Sequence, residues 1–211
     1  MLIIRFVLGM LLVPLSTQVD QQRTGETQRQ LDLVREAVIG FALANGRLPC
    51  PATPNTPTGT AGAGTENRTV PNCNIAEGVA PWAALGVPET DAWGRRFTYR
   101  VTLASADDPA AGALSSFALT GNIGDITVND GAGVAIATSV PAIIVSHGKN
   151  GLGSFGPDGA QWGGAAGNEL ENADNDTTFV SQINAPTFDD LVVWIPPNLL
   201  KSRMVAAGRL P

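Results

Sequence analysis

Residues 31–52, LDLVREAVIGFALANGRLPCPA, decide how this chain is organised. Leu31, Val34, Val38 and Phe41, with Ala37 and Ala42, recur at spacings of three and four. They therefore fall on one face of a helix, with Arg29, Asp32, Arg35 and Glu36 elsewhere on its circumference. Asn45-Gly46 reads as the stop, because glycine accepts the left-handed conformation that closes a helix, and Pro49 prevents its resumption.

Upstream, the residues from Gln18 are polar and helix-compatible. Before them stands MLIIRFVLGMLLVPL, residues 1–15, apolar except for Arg5. No Gly/Pro-rich linker separates the two parts. The expectation is one continuous helix over 1–46, apolar at its start and amphipathic further on, with a globular head over 47–211. The apolar part contains Leu2, Ile3, Ile4, Phe6, Val7, Leu8, Leu11, Leu12, Val13 and Pro14, and the proline is expected to kink it or loosen its hydrogen bonding. A membrane-spanning helix needs about 20 apolar residues, more than this run supplies. A secretory signal would carry basic residues before the apolar core and a small-x-small cleavage site after it, and neither is found here. A soluble amphipathic helix would not be apolar around its whole circumference. The run reads best as a membrane and assembly helix whose first turns precede Met1.

The chain has 211 residues, 44% of them hydrophobic, enough for one substantial core. Its 24 glycines and 15 prolines, concentrated after residue 46, predict a loop-rich head with short strands and little further helix. A net charge of −6 argues against binding nucleic acid through its phosphates. Cys50 and Cys73 bracket a Pro/Thr/Gly/Ala/Asn loop with little means of ordering itself by burial. A disulfide there would contribute on the order of 3 kcal/mol in the chain-entropy model and would place the head in an oxidising compartment. The alternative is two unrelated buried thiols.

In the head, residues 95–102, RRFTYRVT, alternate Phe97, Tyr99 and Val101 with Arg96, Thr98 and Arg100, the pattern of a half-buried strand. Asp91-Ala92-Trp93-Gly94 reads as the turn that launches it. Further strands are expected over 116–120, 125–128, 134–137, 142–145 and 191–194. The most apolar, after Pro141, is expected to be central, with the proline at its start where no ladder bond is lost. Leu199, Leu200, Arg203, Met204 and Ala207 recur at helical spacing and predict a short closing helix ended by Gly208. Gly-Arg-Leu-Pro occurs at both 46 and 208, and the sequence offers no physical reason for it.

An apolar helix with an internal proline, its polar continuation, AVIGFALANGRLPCPA, PWAALGVPETDAWGRRFTYRV, a glycine-rich loop and Phe188-Asp189-Asp190 before Trp194 follow one another along nearly the whole chain. In this order they resemble the type IV pilin superfamily, and are most similar to the pseudopilins of type II secretion. The resemblance implies an α+β fold with an antiparallel sheet laid on the carboxy half of the long helix. It also implies a structural filament subunit in the inner membrane with a periplasmic or extracellular head. Its partners would be copies of itself, other pilin-like subunits, the membrane and the assembly machinery. The chain departs from the family's pattern in having neither the processing glycine nor the acid that follows it. If Pro14 is the family's kink proline, Met1 falls inside the mature helix; if Met1 is the mature start, Arg5 stands where the family has its acid.

Candidate chemistry centres on Ser146-His147-Gly148-Lys149-Asn150-Gly151-Leu152-Gly153, a loop whose glycines let the backbone turn sharply and offer amides or carbonyls to an ion. It does not have P-loop spacing. Calcium takes six to eight oxygens, and the chain supplies Asp158, Glu169, Glu171, Asp174, Asp176, Asp189 and Asp190. The resemblance implies a calcium site in this region, with Asp189 and Asp190 matching the family's Asp pair and Asn150 and Asp158 in the corresponding loop. The competing reading is that the acids solvate or hydrogen-bond a turn. Adjacent Ser146 and His147 point to opposite faces of a strand and cannot form a nucleophile and base, and one His with two Cys makes a poor zinc set, so no enzyme is expected. An alternative function is a tethered or secreted adhesin-like binding domain, with Trp162 as the anchor for a partner or glycan.

Overall fold

The structure is a computed structural model that describes the backbone of residues 2–210 and the side chains of residues 17–210. The expected assembly side chains Leu2, Ile3, Ile4, Phe6, Val7, Leu8, Leu11, Leu12, Val13 and Pro14 lie outside the described residues. Among the described residues no helix is long and apolar enough to cross a membrane.

One helix, α1, runs Leu2–Asn45 and enters the core with Leu31, Val34, Val38 and Ala42 fully buried. Ile39 completes the stripe; Phe41 and Ala37, expected there, are half-buried. The stripe packs on β7 and β9 and holds four of the six residues expected in it. Phe41 instead takes the guanidinium of Arg47 over its ring at 5.0 Å. α1 ends at Gly46, whose φ is +73° and whose amide bonds Ala42 O at 2.8 Å. A Cβ there would also lie 2.3 Å from Leu114 O, so both conformation and space require glycine.

After α1 come β1 (Arg68–Thr69) and β2 (Asn72–Cys73), a small hairpin, then β3 (Glu77–Val79), α2 (Trp82–Leu85), β4 (Thr98–Val101) and α3 (Leu103–Ala106). They are followed by β5 (Ile126–Asn129), β6 (Ala135–Val140), β7 (Ala142–Ser146), a 3-10 turn (Gly167–Glu169), β8 (Thr178–Val180), β9 (Leu191–Trp194) and α4 (Pro197–Ala206). The main sheet is antiparallel, in the order β3-β4-β7-β9. One face, with Tyr99, Val101, Ala142, Ile144 and Val193, joins the α1 stripe in a single core. The other face gives Ile143 and Val145 to a second core with Ile126, Val128, Val140 and Phe179. That core is roofed by a second sheet, β6-β5-β8, in which β5 and β8 run parallel. The structure is thus α+β, as expected, and β7 is central and buried throughout. The second sheet with its parallel pair was not expected.

Two strand expectations are corrected. Residues 116–120 form no strand: the Ser116 amide is taken by Gly46 O and its hydroxyl by Asp107 O, while Ser115 Oγ bonds Phe117 O at 2.5 Å. Local side-chain bonds replace a ladder there. The second correction concerns β4, which is not half-buried, because loops cover its polar face as well. Arg96 is fully buried and bonds Glu89 Oε1 at 2.9 Å, Pro54 O at 2.8 Å and Pro157 O at 3.2 Å, with Trp82 stacked 4.6 Å from its Cζ. Buried loop carbonyls need donors, and a guanidinium carries five in a rigid fork.

The segment after α1 is held in the same way. Arg47 bonds Glu66 through both Nη atoms, at 2.6 and 3.0 Å, and its Nε lies 3.0 Å from Asp108 Oδ1. Cys50 and Cys73 form a disulfide with a Cα–Cα distance of 5.4 Å. The repeated tetrapeptide acquires a reason, since Gly46 and Gly208 each close a helix with positive φ and are followed by a buried leucine, Leu48 or Leu210. Arg209 donates to the α1 carbonyls of Leu43, at 2.9 Å, and Ala44.

Removing one partner of a buried ion pair leaves an uncompensated charge, so Arg96→Ala is expected to lower unfolding stability by about 3–5 kcal/mol. Arg29→Ala, which breaks only the exposed pair with Glu26, is expected to change it by under about 1 kcal/mol. Urea denaturation of both variants measures the difference, and similar losses would contradict the assignment of Arg96 as the loops' anchor.

Candidate functional site

The site is built where β7 and β9 end side by side, with Ser146 opposite Leu191. Asp91, buried in the turn before β4, organises the approach. Its Oδ1 accepts the amides of Trp93 at 2.9 Å and Arg95 at 3.0 Å, and its Oδ2 accepts Ser146 Oγ at 2.6 Å. Burial pushes the Asp91 carboxyl up, while the Ser146 hydroxyl and the two amides oppose it. The Ala92 amide reaches Thr27 Oγ1 on α1 at 3.2 Å, which ties the turn to the helix.

Arg95 then shapes the glycine loop. Its Nη atoms donate to Gly148 O at 3.3 Å and Asn150 O at 3.4 Å, and its Cζ sits 4.3 Å from the Trp162 ring centre. A Cβ on Gly151 would fall 1.7 Å from Arg95 Nε, so the loop closes on the guanidinium only because glycine stands there. Trp162 is 48% exposed with one face against Arg95.

The loop brings three carboxylates together. Glu169, Asp189 and Asp190 each have an oxygen within 4.8 Å of the others. Glu169 Oε1 accepts Asn150 Nδ2 at 2.8 Å and the Asp189 amide at 3.1 Å, and Asp189 Oδ2 accepts the Asn150 amide at 2.9 Å. Asn172 donates to Asp190 Oδ2 at 2.8 Å and also holds Val180 of β8 through both its amide and its carbonyl. Asp189 Oδ1 and Asp190 Oδ1 are buried without a hydrogen-bond partner. So is Nδ1 of the fully buried His147, 3.7 Å from Asp190 Oδ1 and beyond hydrogen-bond reach. The other ring nitrogen, Nε2, pairs with Thr98 Oγ1 at 2.8 Å. Ser146 and His147 thus turn to different partners.

Burial, with Glu169 and Asp189 nearby, pushes Asp190 up to about 8, against the opposing Asn172 hydrogen bond. It also raises Asp189, and it lowers His147 to about 4, helped by Arg95. Of the residues expected here, Asp189, Asp190 and Asn150 come together. Asn150 does so as a donor, because its Oδ1 is taken by the Leu152 amide at 2.9 Å. Asp158 does not join them; it caps a separate turn, accepting the Ala160 amide at 3.1 Å. Glu169 takes the place that was expected of Asp158. The residues suit a hard cation, since three carboxylates come together and two of them each keep a buried oxygen without a hydrogen-bond partner.

No family model, curated protein or solved structure matches this chain. The site therefore stands on its own geometry.

Without a bound cation, the folded state keeps on Asp190 a proton that the unfolded chain releases near pH 4. Stability then falls as pH rises toward about 8, and Glu77, held up to about 7 chiefly by burial, adds to the fall. His147 acts oppositely between about 4 and 6.5, where the unfolded chain binds the proton that the folded state refuses. From pH 6.5 to 8 only the fall remains. In chelator, the urea midpoint is expected to drop across that interval, and Asp190→Asn to make the drop shallower. An unchanged slope in the variant would refute the assignment.

Proposed function

We propose that the chain is a structural subunit of a type IV pilus-like or type II secretion pseudopilus filament. It assembles through its amino-terminal helix and carries a head on the periplasmic or outer side of a bacterial inner membrane. The observation that carries this reading is continuity. The apolar sequence of residues 2–15 and the buried stripe Leu31, Val34, Val38 and Ala42 belong to one helix, Leu2–Asn45. An element committed to the core at one end and apolar at the other joins a folded head to a helical assembly without a hinge. The described outer face also leaves room for neighbouring helices, with Val19 and Leu33 exposed among charged residues and nothing within 4 Å of a Cβ placed on Gly25 or Gly40. The disulfide fits an oxidising compartment. The partners under this proposal are other copies, related pilin-like subunits, the membrane and the assembly machinery.

In this reading Glu169, Asp189 and Asp190 hold calcium, which would supply the positive charge that these buried carboxylates otherwise do not find. Asn150, Asn172 and Arg95 orient the loop around it. Calcium would tie the 3-10 turn to the start of β9 and so stiffen the head without changing its fold.

The double variant Leu8→Asp, Leu12→Asp of the full chain is expected to abolish incorporation into sheared filaments, scored by sedimentation, while the thermal midpoint of the head stays unchanged. Incorporation at the normal level would sink the assembly reading and favour a tethered binding domain. Separately, calcium is expected to raise the midpoint, by about 2.7 kcal/mol of stability at one hundred times its Kd, and Asp190→Asn or Glu169→Gln to weaken that response. A midpoint indifferent to chelator would remove calcium from the proposal and leave assembly standing.

A further inference from the structure

On the face of the main sheet away from α1 lies a cleft of about 290 Å³, lined by Pro54, Glu77, Phe155, Gln161, Asp174 and Asn175 among others. None of Glu169, Asp189 and Asp190 lines it, and neither does any lysine or arginine. Its walls come from five separate parts of the chain. Arg96 holds two of them in place through Pro54 O and Pro157 O. Arg100 is the cation that pairs with its acids among the described residues: its Nη1 is 3.4 Å from Glu77 Oε2 and 3.3 Å from Asn175 Oδ1. Facing that single guanidinium are Glu77, Asp174 and Asp176, whose charges act on one another, with Glu171 clustered beside the last two.

We infer that this cleft binds a primary ammonium group carried on a short aliphatic stem. The ammonium offers three donors and one positive charge, which matches Glu77 and Asp174 on the lining and the amide oxygens of Gln161 and Asn175. Pro54 and Phe155 provide apolar surface for the stem, and an aromatic face also attracts a cation. A bare divalent ion fits less well, because it calls for six to eight converging oxygens while the cleft offers two carboxylates across a space far larger than an ion. Burial and the neighbouring acids keep Glu77 protonated to about pH 7. Arg100 on β4 and Asp174 and Asp176 on the facing loop are the charges that act on it, so binding strengthens above neutrality as the carboxylate ionises. Two sources share this chemistry, a free diamine and the lysine side chain of a partner protein.

The test is ligand-observed NMR on the full chain with n-butylamine, and with 1-butanol as the neutral isostere, at pH 6 and pH 8. Saturable n-butylamine binding that is tighter at pH 8, with none for 1-butanol, is expected. The exposed Asp174→Asn variant, which leaves the core untouched, is expected to weaken it about tenfold, as the loss of one charge pair would. Glu77→Gln is expected to weaken it and to abolish the pH dependence. No saturable amine binding, equal binding of the alcohol, or an Asp174→Asn affinity equal to the parent's would overturn the inference. Competition by putrescine and by N-acetyl-lysine methylamide then identifies the source: tighter displacement by the diamine assigns a free polyamine, and tighter displacement by the lysine derivative assigns a partner's side chain. Failure here leaves the filament proposal unaffected, because the cleft and the helix lie on opposite faces of the sheet.

Discussion

Buried guanidinium groups hold this head together. Arg95, Arg96 and Arg100 are each no more than 8% exposed, and all three sit on or just before one short strand. The head has few residues in regular structure, so many backbone carbonyls have no ladder partner. The three arginines supply donors across the head: Arg96 to the carbonyls of Pro54 and Pro157, Arg95 to those of Gly148 and Asn150, and Arg100 to the side chains of Glu77 and Asn175. Arg47 does the same for the disulfide-closed segment through Glu66 and Asp108. Apolar residues could fill the same volume but could not satisfy the carbonyls.

This arrangement has an electrostatic consequence. The guanidinium of Arg95 is turned to the carbonyls of Gly148 and Asn150 and to the Trp162 ring rather than to Glu169, Asp189 and Asp190. The chain is acidic overall, with a net charge of −6, and two regions of the head gather carboxylates beyond what local cations answer. One is enclosed and lined by orphaned oxygens, which favours a small hard cation. The other opens as a cleft with apolar walls, which favours an organic one. The same constraint, few cations for many carboxylates, stands behind both.

Much of the architecture was legible in local pattern. The helix stripe, the stop at Gly46, the central strand after Pro141, the closing helix and the disulfide are all set by near neighbours or by composition, and they appear where the sequence predicts them. The candidate site was legible only in part. Asp189 and Asp190 were visible as a pair, but Glu169 lies within the long segment between Gly159 and Phe188. Nothing local distinguishes it there from Glu171 or Asp174. His147 could be seen, but not its partner Thr98 on another strand.

By itself the sequence determined periodicities and stops, because these depend on spacing along the chain and on the conformational limits of glycine and proline. Only the tertiary structure decided which polar residues go inside. Arg96 and Arg100 alternate with Phe97, Tyr99 and Val101 just as solvent-facing residues would, and on an exposed face they would be unremarkable. Whether a guanidinium is solvated by water or by loop carbonyls depends on what folds over it. That is a property of segments 42 and 61 residues away, at Pro54 and Pro157, and not of the strand that carries it.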